Sequence, residues 1–129
     1  MKRVIATIVC MAAGWTAHAE ELDQQALTEL FSGEVTFAFN TVRDFPALQT
    51  FKPDGSLVVT WVDGGVHGQD SGKWWMKGNV LCILQDKWLQ RERCMQLRKA
   101  DVGYDFRKPG SSKRRGYMYP LPAATPKDW

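Results

Sequence analysis

FKPDGSLVVTWVDGGVHGQDSGKWWMKGNVLCILQDKWLQRERCM, residues 51–95, decides how this chain is read. It holds several short runs with strand-like patterning, and the breaks between them fall at turn formers. Leu57, Val59 and Trp61 alternate with Val58, Thr60 and Val62, the period of a strand; with both sets apolar, a central strand. In Pro53-Asp54-Gly55 the proline presets its own backbone angle and the glycine tolerates positive φ, so the turn has a mechanism. Asp63 to Ser71 reads as a polar, glycine-rich connection around Val66 and His67, and Gly72 to Lys77 as a strand. Side chains alternate across a pleat, so Trp74 and Trp75 point to opposite faces. One enters the core; the other lies near the surface or lines a cavity.

Trp88 stands six residues from both Cys82 and Cys94. A hairpin of Val80–Gln85 and Arg91–Arg98 around a loop at Asp86–Gln90 sets the two cysteines opposite each other. In a non-hydrogen-bonded pair they are close enough for a disulfide. That register places Leu81, Ile83, Met95 and Leu97 on one face. It is the more apolar face, and is assigned to the core.

Upstream, Glu20 to Phe31 carries Leu22, Ala26, Leu27, Leu30 and Phe31 at helical spacing, with Gly33 as a stop. Val35, Phe37 and Phe39 then alternate with polar or small residues, Asp44-Phe45-Pro46 breaks the pattern, and Leu48 to Phe51 resumes it. Downstream, Tyr104 and Phe106 mark a short strand, Lys108 to Ser112 a loop, and Gly116 to Tyr119 a last strand before Pro120, Pro122 and Pro126. The reading is mainly β: about eight strands in an antiparallel meander, forming a small barrel, with a short N-terminal helix. An open sandwich is the alternative. The predicted layout is a helix at 20–33, a barrel at 34–120 and a flexible tail at 121–129.

Residues 1–19 read as a secretory signal. Lys2 and Arg3 precede the apolar run Val4–Ala13, and Ala17-His18-Ala19 gives a small-x-small cleavage site. The run is too short to span a membrane. Cys82 and Cys94 are then the only cysteines left, and an oxidising compartment favours a bridge between them. A periplasmic or secreted, monomeric bacterial domain is expected, with no transmembrane segment after cleavage.

The formal charge of +3 hides an asymmetry. Glu20 to Asp86 holds ten acids against four bases, whereas Lys87 to Trp129 holds eleven bases against four acids. A basic half attracts anionic partners; neutralisation between the halves is the plainer reading. Nucleic acid is not expected as a partner of an exported protein.

The order Phe51-x-Pro53-Asp54-Gly55, Gly72-x-Trp74, Gly78-x-x-Leu81-Cys82 and Cys94 resembles a group of small exported bacterial domains of unknown function with lipocalin-type or calycin-like barrels. The resemblance covers Phe51 to Cys94. Gly72-x-Trp74 is also similar to a triplet of lipocalins and of barrel-shaped inhibitors of secreted metalloproteases, where it lies in the first strand. It implies a barrel and brings no catalytic residues.

Catalytic chemistry is sparsely furnished. Once the leader is removed His67 is the only histidine. A hydrolase centred on it would need Asp63 or Asp70 and a serine such as Ser71, a grouping that a loop rich in these residues produces by chance. A metal site of Asp63, His67 and Asp70 lacks a paired histidine or cysteine, and these are expected to be solvated loop residues. No cofactor, catalytic residue or metal ligand is assigned. Aromatic residues are abundant by comparison. Trp61, Trp74, Trp75 and Trp88 exceed what a small core needs, and Trp88 at a hairpin tip is the sharpest candidate for an exposed anchor. Lys113, Arg114 and Arg115 with Tyr117 form a basic cluster suited to lipid headgroups, lipopolysaccharide or an acidic protein. The expected function is a non-enzymatic binding module for a small apolar or envelope molecule or a protein partner. Inhibition of a secreted hydrolase such as a protease or lysozyme is the alternative.

Overall fold

The structure is a computed structural model that describes residues 21–63 and 66–121. The predicted leader and nearly all of the predicted tail lie outside the described residues.

Eight antiparallel strands follow one another around a closed barrel. They are β1 (Val35–Thr41), β2 (Ala47–Phe51), β3 (Ser56–Asp63), β4 (Val66–Lys77), β5 (Val80–Gln85), β6 (Arg93–Lys99), β7 (Tyr104–Arg107) and β8 (Arg114–Pro120). Every strand pairs with its sequence neighbours, and β8 closes the ring on β1 through Phe39 opposite Met118 and Asn40 opposite Tyr117. The antiparallel meander expected from the alternation is therefore complete, and the open sandwich is set aside.

Period-two burial fixes the inside. Phe37, Phe51, Leu57, Leu81, Ile83, Leu97 and Met118 are all fully buried. Trp74, half-buried, packs against them on the inner face, as predicted for one of the tryptophan pair; its Nε1 donates to the Lys52 carbonyl at 2.8 Å. Trp75 takes the outer face, across from Cys82. Helix α1 (Gln24–Leu30) closes one end of the barrel. The Asp23 carboxylate caps it by accepting from the Ala26 N–H at 2.8 Å. Just past the helix, the ring of Phe31 lies 5.4 Å from Phe37, 5.0 Å from Phe51 and 5.5 Å from Trp74. This end is packed with aromatic rings.

Three expectations are corrected. The helix is shorter than predicted because the chain before it runs along β6 instead, with the Leu22 N–H donating to the Leu97 carbonyl. The stretch before Gly72 is not a connection: β4 already begins at Val66. Its glycines permit close approach rather than breaking the strand. A Cβ on Gly68 would stand 2.2 Å from the Trp61 indole, and one on Gly72 would stand 2.3 Å from the Leu84 carbonyl oxygen. The loop around Trp88 is also longer than predicted, since β6 starts only at Arg93.

The stapled hairpin has the predicted register. Cys82 pairs with Cys94, Leu81 with Met95. The two cysteines are disulfide-bonded, with Cα atoms 4.0 Å apart. Among the described residues no helix is long and apolar enough to cross a membrane. Both ends of the described chain lie at the α1 end of the barrel, Leu22 bonded to Leu97 and the Leu121 N–H to the Thr36 carbonyl.

Replacing both Cys82 and Cys94 with serine is expected to lower unfolding stability by about 3 kcal/mol, from the lost loop constraint on the unfolded chain. A urea titration with intrinsic fluorescence measures it. Gly68→Ala, which drives a methyl into Trp61, is expected to cost about 1–3 kcal/mol in the same assay.

Candidate functional site

The end of the barrel away from α1 is built from different residues. There polar side chains join the inward-facing Phe39, Trp61 and Phe106: Gln49, Asp70 and Gln85 are buried, and Arg93 is half-buried. Asp70 is the hub. Its Oδ2 accepts from the backbone N–H of Trp88 at 2.9 Å and of Lys87 at 3.1 Å, and from Gln85 Nε2 at 3.3 Å. Its Oδ1 accepts from the Ser71 N–H at 2.8 Å. The same glutamine accepts from Arg93 Nη2, so one amide bridges a buried carboxylate and a guanidinium. Burial is the largest influence on the Asp70 carboxyl and pushes its pKa up. The four donors together outweigh it and leave the pKa below the ordinary 3.8. Burial also lowers the pKa of the Arg93 guanidinium, with Arg91 nearby adding repulsion.

This carboxylate anchors the β5–β6 loop (residues 86–92) from beneath. Held at its backbone, the loop folds Trp88 back over the barrel mouth. The Trp88 ring stacks on Trp61 at 5.6 Å and on Phe45 at 5.2 Å. Phe45 comes from the β1–β2 connection (42–46) and Trp61 from the inner face of β3, so three aromatic rings from three parts of the chain form one cap. The cap is not fully buried. Trp88 keeps 40% of its surface exposed, the adjacent Leu89 41% and Val42 57%. Leu89 has φ 51°, a left-handed conformation that costs a branched residue about 1–2 kcal/mol.

The β7–β8 hairpin stands beside this cap. From Lys108 to Arg115 it holds four bases and no acid. Arg114 lies over the Tyr117 ring at 4.6 Å, and the Arg115 carbonyl accepts from the Val42 N–H at 2.9 Å.

The sequence candidates thus separate into four places. Trp61 and Trp88 meet in the cap. Trp74 belongs to the aromatic core at the opposite end, and Trp75 to the outer wall. Lys113, Arg114, Arg115 and Tyr117 share the basic hairpin. Of the residues considered for catalysis, His67, Asp70 and Ser71 do not assemble, and the side chain of Asp63 lies outside the described ones. His67 and Ser71 are exposed on the outer face of β4, whereas Asp70 faces inward with both oxygens engaged. Asp70 is therefore not the solvated loop residue expected, and it cannot orient His67. Among the described residues one cluster of metal-ligating types stands out, Cys82, Glu92 and Cys94, and its two sulfurs are bonded to each other. Phe45, Gln85 and Arg93 were not legible as site residues. The available signal was parity: Gly68, Asp70, Gly72, Trp74 and Met76 share one face of β4.

Because the folded pKa of Asp70 is depressed, its contribution to stability is present above the unfolded value and is lost as pH falls below about 4. Asp70→Asn is expected to cost about 1–3 kcal/mol at neutral pH, since an amide nitrogen cannot accept from the loop N–H groups. It is also expected to flatten the acid limb of the stability profile and red-shift Trp88 emission. Denaturation followed by fluorescence across pH measures all three.

Comparison of the chain with protein-family models, with curated proteins and with solved structures finds no match.

Proposed function

We propose that the protein is an exported, non-enzymatic binding module that works through the loop end of its barrel. The observation that carries this reading is the β5–β6 loop: its backbone is locked by Asp70, yet it presents Trp88 and Leu89 to solvent. A rigid loop carrying an aromatic residue loses little conformational freedom on binding, the usual make-up of an anchor. The strained backbone of Leu89 adds to this, because an exposed asparagine or glycine would hold the same turn at lower cost.

Two features of the fold favour the same end. A closed ring has no free strand edge, so strand addition is not a route to partners. The α1 end is filled by Phe31, Phe37, Phe51 and Trp74, leaving the loops as the adaptable part. The leader-like start of the sequence and the bridged cysteines favour a periplasmic or secreted location. A second reading, inhibition of a secreted hydrolase, draws on the same loop, whose fixed backbone and exposed Leu89 suit contact with a cleft.

A photo-crosslinking amino acid at Leu89 tests the proposal, with Val102 at the opposite end as control. In producing cells, a lipid or protein adduct from position 89 alone is expected. No adduct, or equal adducts from both positions, would remove the proposal. An adduct with a secreted hydrolase, together with loss of that enzyme's activity, selects the inhibitor reading. Leu89→Asn is expected to raise unfolding stability by about 1 kcal/mol while weakening capture of the partner; chemical denaturation and the crosslink yield report the two effects.

A further inference from the structure

We infer that the loop end docks on an anionic lipid bilayer, Val42, Trp88 and Leu89 entering the headgroup region while Lys113, Arg114 and Arg115 meet lipid phosphates. This rests on the binding-module reading and names its partner.

Three observations converge on it. First, apolar and basic groups are contiguous. The Val42 N–H bonds the Arg115 carbonyl, and Phe45, three residues on, stacks on Trp88. The β1–β2 connection therefore ties the basic hairpin to the aromatic cap. Tryptophan with aliphatic and basic neighbours is the composition that settles at a membrane–water interface. Second, charge is polarised along the barrel. The hairpin from Lys108 to Arg115 has four bases and no acid, whereas Glu21 to Glu34 around α1, at the other end, has four acids and no base. An anionic surface attracts one end and repels the other, which fixes the orientation of approach. Third, the exposed apolar side chains belong to two separate loops, Val42 to β1–β2 and Trp88 and Leu89 to β5–β6. Small apolar groups on separate loops give a protein partner little continuous surface to match, but a fluid bilayer closes around them without shape complementarity.

Co-sedimentation with large unilamellar vesicles tests this, using protein recovered from producing cells. Vesicles of phosphatidylcholine alone are compared with vesicles of phosphatidylcholine and phosphatidylglycerol in equal parts. Binding only to the anionic vesicles is expected, and high salt is expected to weaken it. Each base removed among Lys113→Ser, Arg114→Ser and Arg115→Ser is expected to weaken binding about fivefold. Trp88→Ser with Leu89→Ser is expected to weaken it about tenfold or more. The hairpin side chains are exposed, so their variants keep the test valid should the Trp88 variant fail to fold. Equal binding to neutral vesicles, or anionic binding unchanged in the triple hairpin variant, overturns the inference. Absent vesicle binding alongside a protein adduct at position 89 overturns the lipid partner and leaves the binding-module reading standing. If vesicle binding and adducts are both absent, both readings fall.

Discussion

Eight strands closed on themselves leave a narrow interior, and the side chains that crowd it here govern the molecule. No room remains for a Cβ at Gly68, where the Trp61 indole crosses the strand, or at Gly116, where the Phe106 ring and the Asn40 carbonyl approach within 2.6 Å of the same position. The filling is divided. Aromatic rings and α1 seal one end, and a polar layer occupies the other. Apolar packing carries stability at the first. At the second, a buried polar group is costly unless it finds a partner within the barrel or in the loops above, as Asp70 and Gln85 do.

Asp70 shows how that demand becomes useful. A carboxylate on the inner face of a strand is costly unless its oxygens are satisfied, and here the donors come partly from the β5–β6 loop. The satisfaction of a buried charge and the fixing of a surface loop are one set of hydrogen bonds. The disulfide reinforces the same hairpin from outside the barrel, joining β5 to β6 below the loop. The loop is thus held from both faces of the wall, which explains how Leu89 is kept in a backbone conformation it would leave if free.

The fold was legible in the sequence wherever side-chain alternation met turn chemistry. Leu57-x-Val59-x-Trp61, the Pro53-Asp54-Gly55 turn and the symmetric placing of Cys82 and Cys94 about Trp88 predicted strands, turn and register that the structure contains. Reading failed where one residue type carries two meanings. Gly68 looked like part of a break, because a glycine that admits a neighbouring ring and one that releases the chain are identical in sequence. Asp70 looked solvated, because its partners are backbone groups about seventeen residues away. Phe45 was hidden in a Phe-Pro break and gained its role only when the closed ring brought it beside Trp88. The tryptophan pair was half legible: alternation predicted that 74 and 75 diverge, but not which would turn inward.

The two ends of the described chain leave the barrel together beside α1, a full strand length away from Trp88. Any cargo, dye or solid support attached at Glu21 or Leu121 would hang from the α1 end and leave the opposite rim unobstructed. The architecture is in that sense a natural pedestal, and its loops are open to exchange without disturbing the point of attachment.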